Sequence, residues 1–145
     1  MLTPEQKRGH AGCIRVAQHI IIGGKRLQHV ETYHGSYDLQ SKCGTYQVEV
    51  KTTIGNTVSL TRSQKRRVKD PHSAGIYFVA VAREITHYKY KLYVFDTRTV
   101  LEYRNASFFY WKSARHAALL RCKVDKRGGV HGLILRGGLV KCKHG

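Results

Sequence analysis

The chain has 145 residues, and its 26 Lys and Arg against nine Asp and Glu give a formal charge of +17. A hydrophobic fraction of 41% supports one packed core, which excludes a disordered basic tail. No apolar run approaches the roughly 20 residues of a membrane span. The beginning of the chain has no signal-peptide pattern, which predicts a cytoplasmic location. The protein would then be associated with the nucleoid, or be encoded by a virus or a mobile element.

The positive charge predicts a polyanionic partner, because a compact domain with this surplus repels itself. Nucleic acid is the leading candidate. An anionic membrane is the alternative, but no basic amphipathic helix with a wide apolar face is visible, so no membrane partner is expected. The four cysteines form no CxxC pair, which argues against a zinc ribbon.

The first half of the chain predicts one helix followed by strands. Ala11, Ile14, Ala17 and Ile21 recur at helical spacing, which predicts an amphipathic helix of about a dozen residues that ends at Gly23-Gly24. Residues 27–32 are predicted as a first strand. Residues 36–41 and 45–52 are the clearest strands, with a turn signal between them.

The second half predicts a short strand over 57–60 and a helix over 61–70. Thr61 is the expected N-cap of this helix, and Pro71 follows its end. Residues 76–82 are predicted as a central strand, with 91–95 as its antiparallel neighbour. Asn105 is the predicted cap of a last helix through Phe108, Trp111, Arg115 and Leu119. This order predicts a mixed α/β protein: one domain over 1–121, with a basic, glycine-rich hairpin or arm over 122–145.

Two carboxylates lie in the predicted hairpin of strands 36–41 and 45–52. If the loop has four residues, Ser41 pairs with Tyr46 and Asp38 faces Glu49, with Cβ atoms about 4.5–5.5 Å apart. Carboxylates at this spacing suit Mg²⁺, and Lys51 shares the face of Glu49. A three-residue loop would put the two acids on opposite faces. The plainer interpretation is an exposed strand with Glu49 and Lys51 on its solvent face.

The stretch YDLQSKCGTYQVEVKTT, residues 37–53, resembles the PD-(D/E)XK nuclease superfamily. Together with LTPEQKRGHAG near the start and GIYFVAVARE after the second helix, it is similar to group I intron-associated homing endonucleases and to archaeal Holliday-junction resolvases. The resemblance implies a restriction-endonuclease-like αβββαβ core with a mixed central sheet. It implies DNA cleavage with Mg²⁺, for which Mn²⁺ is expected to substitute. Asp38 and Glu49 would be the metal ligands, and Lys51 would orient or activate water.

The first helix departs from the family pattern. These nucleases usually carry a glutamate there, after a Gly-x-x-Gly/Ala step. In this chain the step at residues 9–12 leads to Cys13, which cannot replace a hard oxygen ligand. Glu5, His10 or Glu31 would take the role, or a second metal is absent.

Further candidate residues lie outside the hairpin. Gln64 begins the second helix, where related nucleases often have a glutamine that assists the site; a solvated helix residue is the other interpretation. The aromatic run at 108–111 is expected to pack in the core or an interface rather than stack on bases. Basic residues predicted to contact phosphates are Arg62, Lys65, Arg66, Arg67, Lys69, Lys112 and Arg115.

Three functions follow from these observations. The first is a metal-dependent endodeoxyribonuclease acting on duplex or branched DNA, of the homing or restriction type or a junction resolvase. With one site per subunit, cutting both strands implies a homo-oligomer, a dimer or a tetramer. The second is a non-catalytic DNA- or RNA-binding protein on the same fold. The third is a basic structural protein of a ribonucleoprotein, in which Asp38 has no role.

Overall fold

The computed structural model describes residues 2–30, 36–86 and 89–119. Its helices are α1 (Pro4–His19), α2 (Arg62–Lys69), α3 (Thr97–Glu102) and α4 (Trp111–Ala114). Its strands are β1 (Ile21–Ile22), β2 (Lys25–His29), β3 (Leu39–Ser41), β4 (Gln47–Thr53), β5 (Val58–Ser59), β6 (Tyr77–Thr86), β7 (Lys89–Asp96) and β8 (Phe108–Phe109).

Six strands form one mixed sheet in the order β1-β2-β3-β4-β6-β7. All neighbours in it are antiparallel except β4 and β6, which run parallel with Glu49 beside Val79. A second sheet joins β5 to β8. The mixed α/β class predicted from the order of elements is therefore confirmed.

Helix α1 begins earlier than its apolar spacing predicts. Thr3 caps it in a reciprocal capping box with Gln6, and Pro4 occupies the first turn, where its missing N–H costs nothing. The helix ends before Gly23 and Gly24, whose positive φ angles of 56° and 75° form the turn from β1 to β2 instead. The prediction that these glycines end the helix was wrong, although Thr3 and Gln6 signal the correct start.

Hydrophobic cores cover both faces of the sheet. On one face, Val16 and Ile20 of α1 pack in a cluster with Val48 and Phe78. On the other, Val68 of α2 belongs to a second cluster that contains Val79, Phe95, Phe109 and Trp111. The central strands β4 and β6 therefore lie between two layers, and both of their faces are buried over residues 48–50 and 77–82.

The predicted hairpin, second helix and central strand pair are all present. Strand β3 is shorter than predicted and begins at Leu39, while β4 extends one residue further, to Thr53. Thr61 caps α2 as expected. Strands β6 and β7 form the predicted antiparallel pair, with Val79 opposite Phe95.

The region after β7 differs from its prediction. Asp96 caps the unpredicted helix α3, with its Oδ1 accepting from the N–H of Thr99 at 2.8 Å. Asn105 caps no helix, because its Oδ1 accepts from the N–H groups of Ser107 and Phe108 in a local turn. Strand β8 follows, and α4 is a single turn. The predicted arm over 122–145 lies outside the described residues.

No helix in the described ranges is long and apolar enough to cross a membrane.

Candidate active site

The β3–β4 hairpin has the register that brings its two acids together. Ser41 N–H donates to the carbonyl oxygen of Tyr46 at 2.9 Å, and Leu39 lies opposite Val48. Four residues, 42–45, therefore form the loop, as the four-residue interpretation requires. The strand ladder ends at Leu39 and Val48, and beyond it the carboxyl groups of Asp38 and Glu49 interact directly.

Asp38 is fixed by main-chain groups on both sides. Its N–H donates to the carbonyl oxygen of Val48 at 3.0 Å, and its own carbonyl accepts from the N–H of Val30 at 3.0 Å. Its carboxylate accepts from the N–H of Val50, with 2.9 Å between the nitrogen and Oδ2. The carboxylate is thus held against the backbone between Glu49 and Lys51.

Glu49 is a buried acid beside another acid. Its relative exposure is 4%, and its Oε1 lies 3.6 Å from Nζ of Lys51. The pKa of Glu49 is raised from 4.5 to about 8, chiefly by burial and then by the neighbouring Asp38 carboxylate, against the lowering effect of Lys51. A strand whose face is open to solvent would not bury Glu49, so the exposed-strand interpretation was wrong. The reason is that Glu49 lies beside Val79 of β6, which belongs to the second core cluster, so this face of the sheet is packed rather than open to water.

One oxygen of the pair has no partner. Glu49 Oε2 is buried and has no hydrogen-bond partner among the described residues. A buried oxygen left unsatisfied costs about 1–3 kcal/mol, and more when it is charged. A divalent cation bound between the two carboxylates would satisfy Oε2 and relieve their repulsion.

The donor set fits a hard cation that keeps part of its water shell. In the described part of the chain, no cluster of three or more His, Cys, Asp or Glu has the geometry of a metal site. The side-chain ligands that could hold such a cation here are therefore the two carboxylates of Asp38 and Glu49. Mg²⁺ is typically bound in this way, with water and phosphate oxygens completing its octahedral coordination.

Cys13 of α1 interacts electrostatically with both acids. The pKa of its thiol is raised to about 12, chiefly by burial and then by the Asp38 and Glu49 carboxylates. Cys13 is a free cysteine, so it presents a neutral thiol to the acids. The first helix thus reaches the site without the acidic side chain that the family resemblance implies.

The three proposed replacements for that acid have different positions. Glu5 is exposed in the first turn of α1. His10 stacks on His29 of β2, with 6.3 Å between ring centroids. Glu31 lies outside the described residues.

Gln64 is buried, with a relative exposure of 1%. Its Oε1 accepts from the N–H of Thr61 at 2.9 Å, which completes the capping box of α2. Its burial rules out the solvated interpretation. A role for the Gln64 amide nitrogen in the site stays a prediction.

The basic residues of α2 divide into two groups. Arg67 is turned inward: its guanidinium donates to Ser73 and Gln47 and lies 4.7 Å from the ring centroid of Tyr77. These contacts give Arg67 a structural role that its sequence neighbourhood did not signal. Of the other predicted phosphate-binding residues, Lys65 is half-buried and five are exposed. The exposed ones are Arg62, Arg66 and Lys69 of α2, Lys112 of α4, and Arg115 just after α4.

The aromatic run after α3 alternates between core and surface. Phe109 and Trp111 are buried, whereas Phe108 and Tyr110 are 45% and 41% exposed. Trp111 Nε1–H donates to the carbonyl oxygen of Gly55 at 3.1 Å, so this residue also anchors the loop that follows β4. Core packing is confirmed for Phe109, which lies in β8 rather than in the predicted helix, and for Trp111, which begins α4.

Comparisons with known proteins found no match for this chain among protein-family models, curated proteins or solved structures.

Proposed function

We propose that this protein is a Mg²⁺-dependent endodeoxyribonuclease that hydrolyses DNA phosphodiester bonds. The observation that carries the proposal is the Glu49 carboxylate, which is buried beside Asp38 and has an unpartnered Oε2. Burying two adjacent carboxylates is costly, and a bound cation is the simplest compensation. The chain's excess of positive charge supports DNA as the substrate.

Each residue of the site has a distinct part in the proposed reaction. When bound, Mg²⁺ supplies Lewis-acid stabilisation of the charge that develops on the phosphate. Asp38 and Glu49 hold this ion, and the Val50 N–H keeps Asp38 in position. The Lys51 ammonium, 3.6 Å from Glu49 Oε1, supplies a second positive charge that orients the attacking water or the phosphate.

The order of elements supports a restriction-endonuclease-like core. Helix α1, strands β2, β3 and β4, helix α2 and strand β6 follow one another as αβββαβ, apart from the short strands β1 and β5. Strands β2, β3 and β4 form an antiparallel meander, and β6 pairs with β4 in parallel. Together with the Asp38, Glu49 and Lys51 arrangement, this topology favours the PD-(D/E)XK superfamily over an unrelated basic protein.

A nicking assay on supercoiled plasmid tests the activity. We expect cleavage by the wild type with Mg²⁺ or Mn²⁺ and none in EDTA. Lys51→Ala and Glu49→Gln should each lower the rate at least about 100-fold, while DNA binding in EDTA is retained. Lys42→Ala is the matched control, because Lys42 is exposed in the turn of the same hairpin. Wild-type cutting by Lys51→Ala would overturn the mechanism.

The substrate class needs a second assay. A linear duplex and a four-way junction are digested side by side. Cutting of the duplex at one place supports a homing or restriction-type enzyme, and symmetric nicks near the crossover support a junction resolvase. Either outcome implies a symmetric homo-oligomer, since one subunit offers one such site.

Cys13 favours a second candidate function, that of a non-catalytic DNA- or RNA-binding protein. Its neutral thiol replaces a carboxylate beside Asp38 and Glu49. This alternative predicts equal nucleic-acid binding in EDTA and in Mg²⁺, without strand scission in either. The plasmid assay therefore separates the two functions.

A further inference from the structure

A basic groove runs between α1 and the edge strand β7. Its first part is lined by Arg15, Lys89, Tyr90 and Lys91 among others, and its second by Lys7, Arg8 and Tyr90. Because Tyr90 lines both parts, we treat them as one surface. The name basic groove refers below to the surface around Lys7, Arg8, Arg15, Lys89 and Lys91.

The two walls of the groove have a regular arrangement. On α1, residues 7, 11, 15 and 19 follow one another at intervals of four, so Lys7 and Arg15 lie along one face of the helix. The opposite wall is β7, an edge strand that contributes Lys89 and Lys91, both exposed. Positive charge therefore lies along both sides of an elongated depression.

Most of this charge is not neutralised within the protein. Glu84 also lines the groove, and it pairs with Arg8 at 2.6 Å. Among the described residues, no carboxylate lies within ion-pair distance of Lys7, Arg15, Lys89 or Lys91. Burial and the neighbouring Arg15 lower the pKa of His19, so the groove's charge comes from Lys and Arg.

The chemistry of the groove selects its occupant. Small-molecule pockets are mainly apolar with few polar groups, whereas five of the residues that line this groove are Lys or Arg. A membrane-binding helix needs a wide exposed apolar face. Helix α1 buries Val16 against the sheet, and its exposed large apolar side chain is Ile14, at 36% exposure. Two parallel rows of cations fit a linear polyanion, whose charges repeat along its length.

The geometry points to the basic groove as a binding surface for the phosphodiester backbone of the DNA that flanks the cleavage site. The inference rests on the proposed function only for the choice of DNA. Arg15 contacts phosphates from the helix wall, and Lys89 and Lys91 contact them from the strand wall. None of these residues belongs to the Asp38, Glu49 and Lys51 site.

The test removes one charge from each wall. Arg15→Gln/Lys91→Gln is compared with Arg26→Gln/Arg98→Gln, which removes equal charge from exposed positions outside the groove. Fluorescence anisotropy with a labelled duplex in EDTA measures the Kd over a range of salt. We expect the groove variant to weaken binding about tenfold and to reduce the salt slope by about two, against less than twofold for the control. Equal weakening in both variants would overturn the inference.

Additional arms separate the other outcomes. Anionic phosphatidylserine vesicles replace DNA in a parallel measurement, and loss of vesicle binding with intact DNA binding would overturn the assignment. If the wild type binds RNA more tightly than DNA, and the groove variant loses this difference, DNA is overturned as the occupant of the groove. The cleavage rate at saturating DNA should be unchanged in the control variant Arg26→Gln/Arg98→Gln. If the wild type binds DNA through the groove but does not cut, the proposed nuclease activity fails and the groove stands.

Discussion

The backbone N–H of Val50 donates a hydrogen bond of 2.9 Å to the carboxylate of Asp38. Val50 is the residue between Glu49 and Lys51, so one main-chain contact positions Asp38 relative to both. All three side chains come from a single hairpin, in which the ladder of β3 and β4 limits their relative movement. Held in this way, the groups need little reorganisation to act together.

Glu49→Gln should make the metal-free protein less sensitive to pH. The pKa of Glu49 is raised in the folded state to about 8, from 4.5. Below about pH 4.5 the Glu49 carboxyl is neutral in both the folded and the unfolded protein, so it does not reduce the free energy of unfolding. As pH rises through about 8, this part of the free energy of unfolding is lost. The loss amounts to roughly 5 kcal/mol at most.

Urea unfolding in EDTA from pH 5 to pH 9 measures this effect. Gln cannot ionise, so the variant should exceed the wild type in stability by a margin that grows towards pH 8. Taking the difference between the two proteins cancels the titration of the histidines. Parallel profiles for wild type and variant would contradict a buried, neutral Glu49.

Cys13→Asp should couple stability to Mg²⁺ more strongly. A third carboxylate near Asp38 and Glu49 adds repulsion, which lowers the Tm in EDTA, and added Mg²⁺ offsets it. We expect a Mg²⁺-dependent rise in Tm several degrees larger than in the wild type, since about 1 kcal/mol shifts Tm by roughly 4 °C at this size. Cys13→Ser is the neutral control. Identical Mg²⁺ responses in the two variants would place Cys13 outside the site.

Gly12→Ala should destabilise the protein, because α1 packs closely on β4 at this point. A Cβ on Gly12 would clash with Thr52 Oγ1 and lie 3.3 Å from Cβ of Ala82. We expect a loss of about 1–3 kcal/mol in the free energy of unfolding. Gly9→Ala, in the same helix with nothing within 4 Å of its Cβ, should gain about 0.5–1 kcal/mol. Urea midpoints check both, and a loss in Gly9→Ala as large as in Gly12→Ala would contradict the packing argument.

Arg67→Gln and Arg66→Gln remove the same charge from adjacent residues with different surroundings. Arg67 bonds to Ser73 and Gln47 and stacks on Tyr77, so its loss should cost about 1–3 kcal/mol of stability. Arg66 is exposed, and its replacement should change stability by less than about 0.5 kcal/mol. In DNA binding, Arg66→Gln should reduce the salt slope by about one. Equal free energies of unfolding for the two variants would contradict a structural role for Arg67.

Local signals in the sequence were sufficient for several elements. Thr61 predicted the start of α2, and the alternation along β4 placed Glu49 and Lys51 on one face. Such features depend on neighbouring residues, and the chain's periodicity records them. The last helix failed for the opposite reason. Its predicted face was Phe108, Trp111, Arg115 and Leu119, but pairing of β8 with β5, distant in the sequence, makes Phe108 part of a strand, and α4 is a single turn that begins at Trp111.

The sequence by itself determined the acids and the lysine of the candidate site, and it restricted their register to two choices through the length of one loop. Tertiary structure decided the rest. Burial of Glu49 depends on the core packed on its face of the sheet, where Val79 of β6 lies beside it, and the interaction of Cys13 with the acids depends on how α1 crosses the sheet. The basic groove needs α1 beside β7, which are far apart in the chain. These properties arise from packing between distant segments, and no local pattern encodes which surfaces will meet.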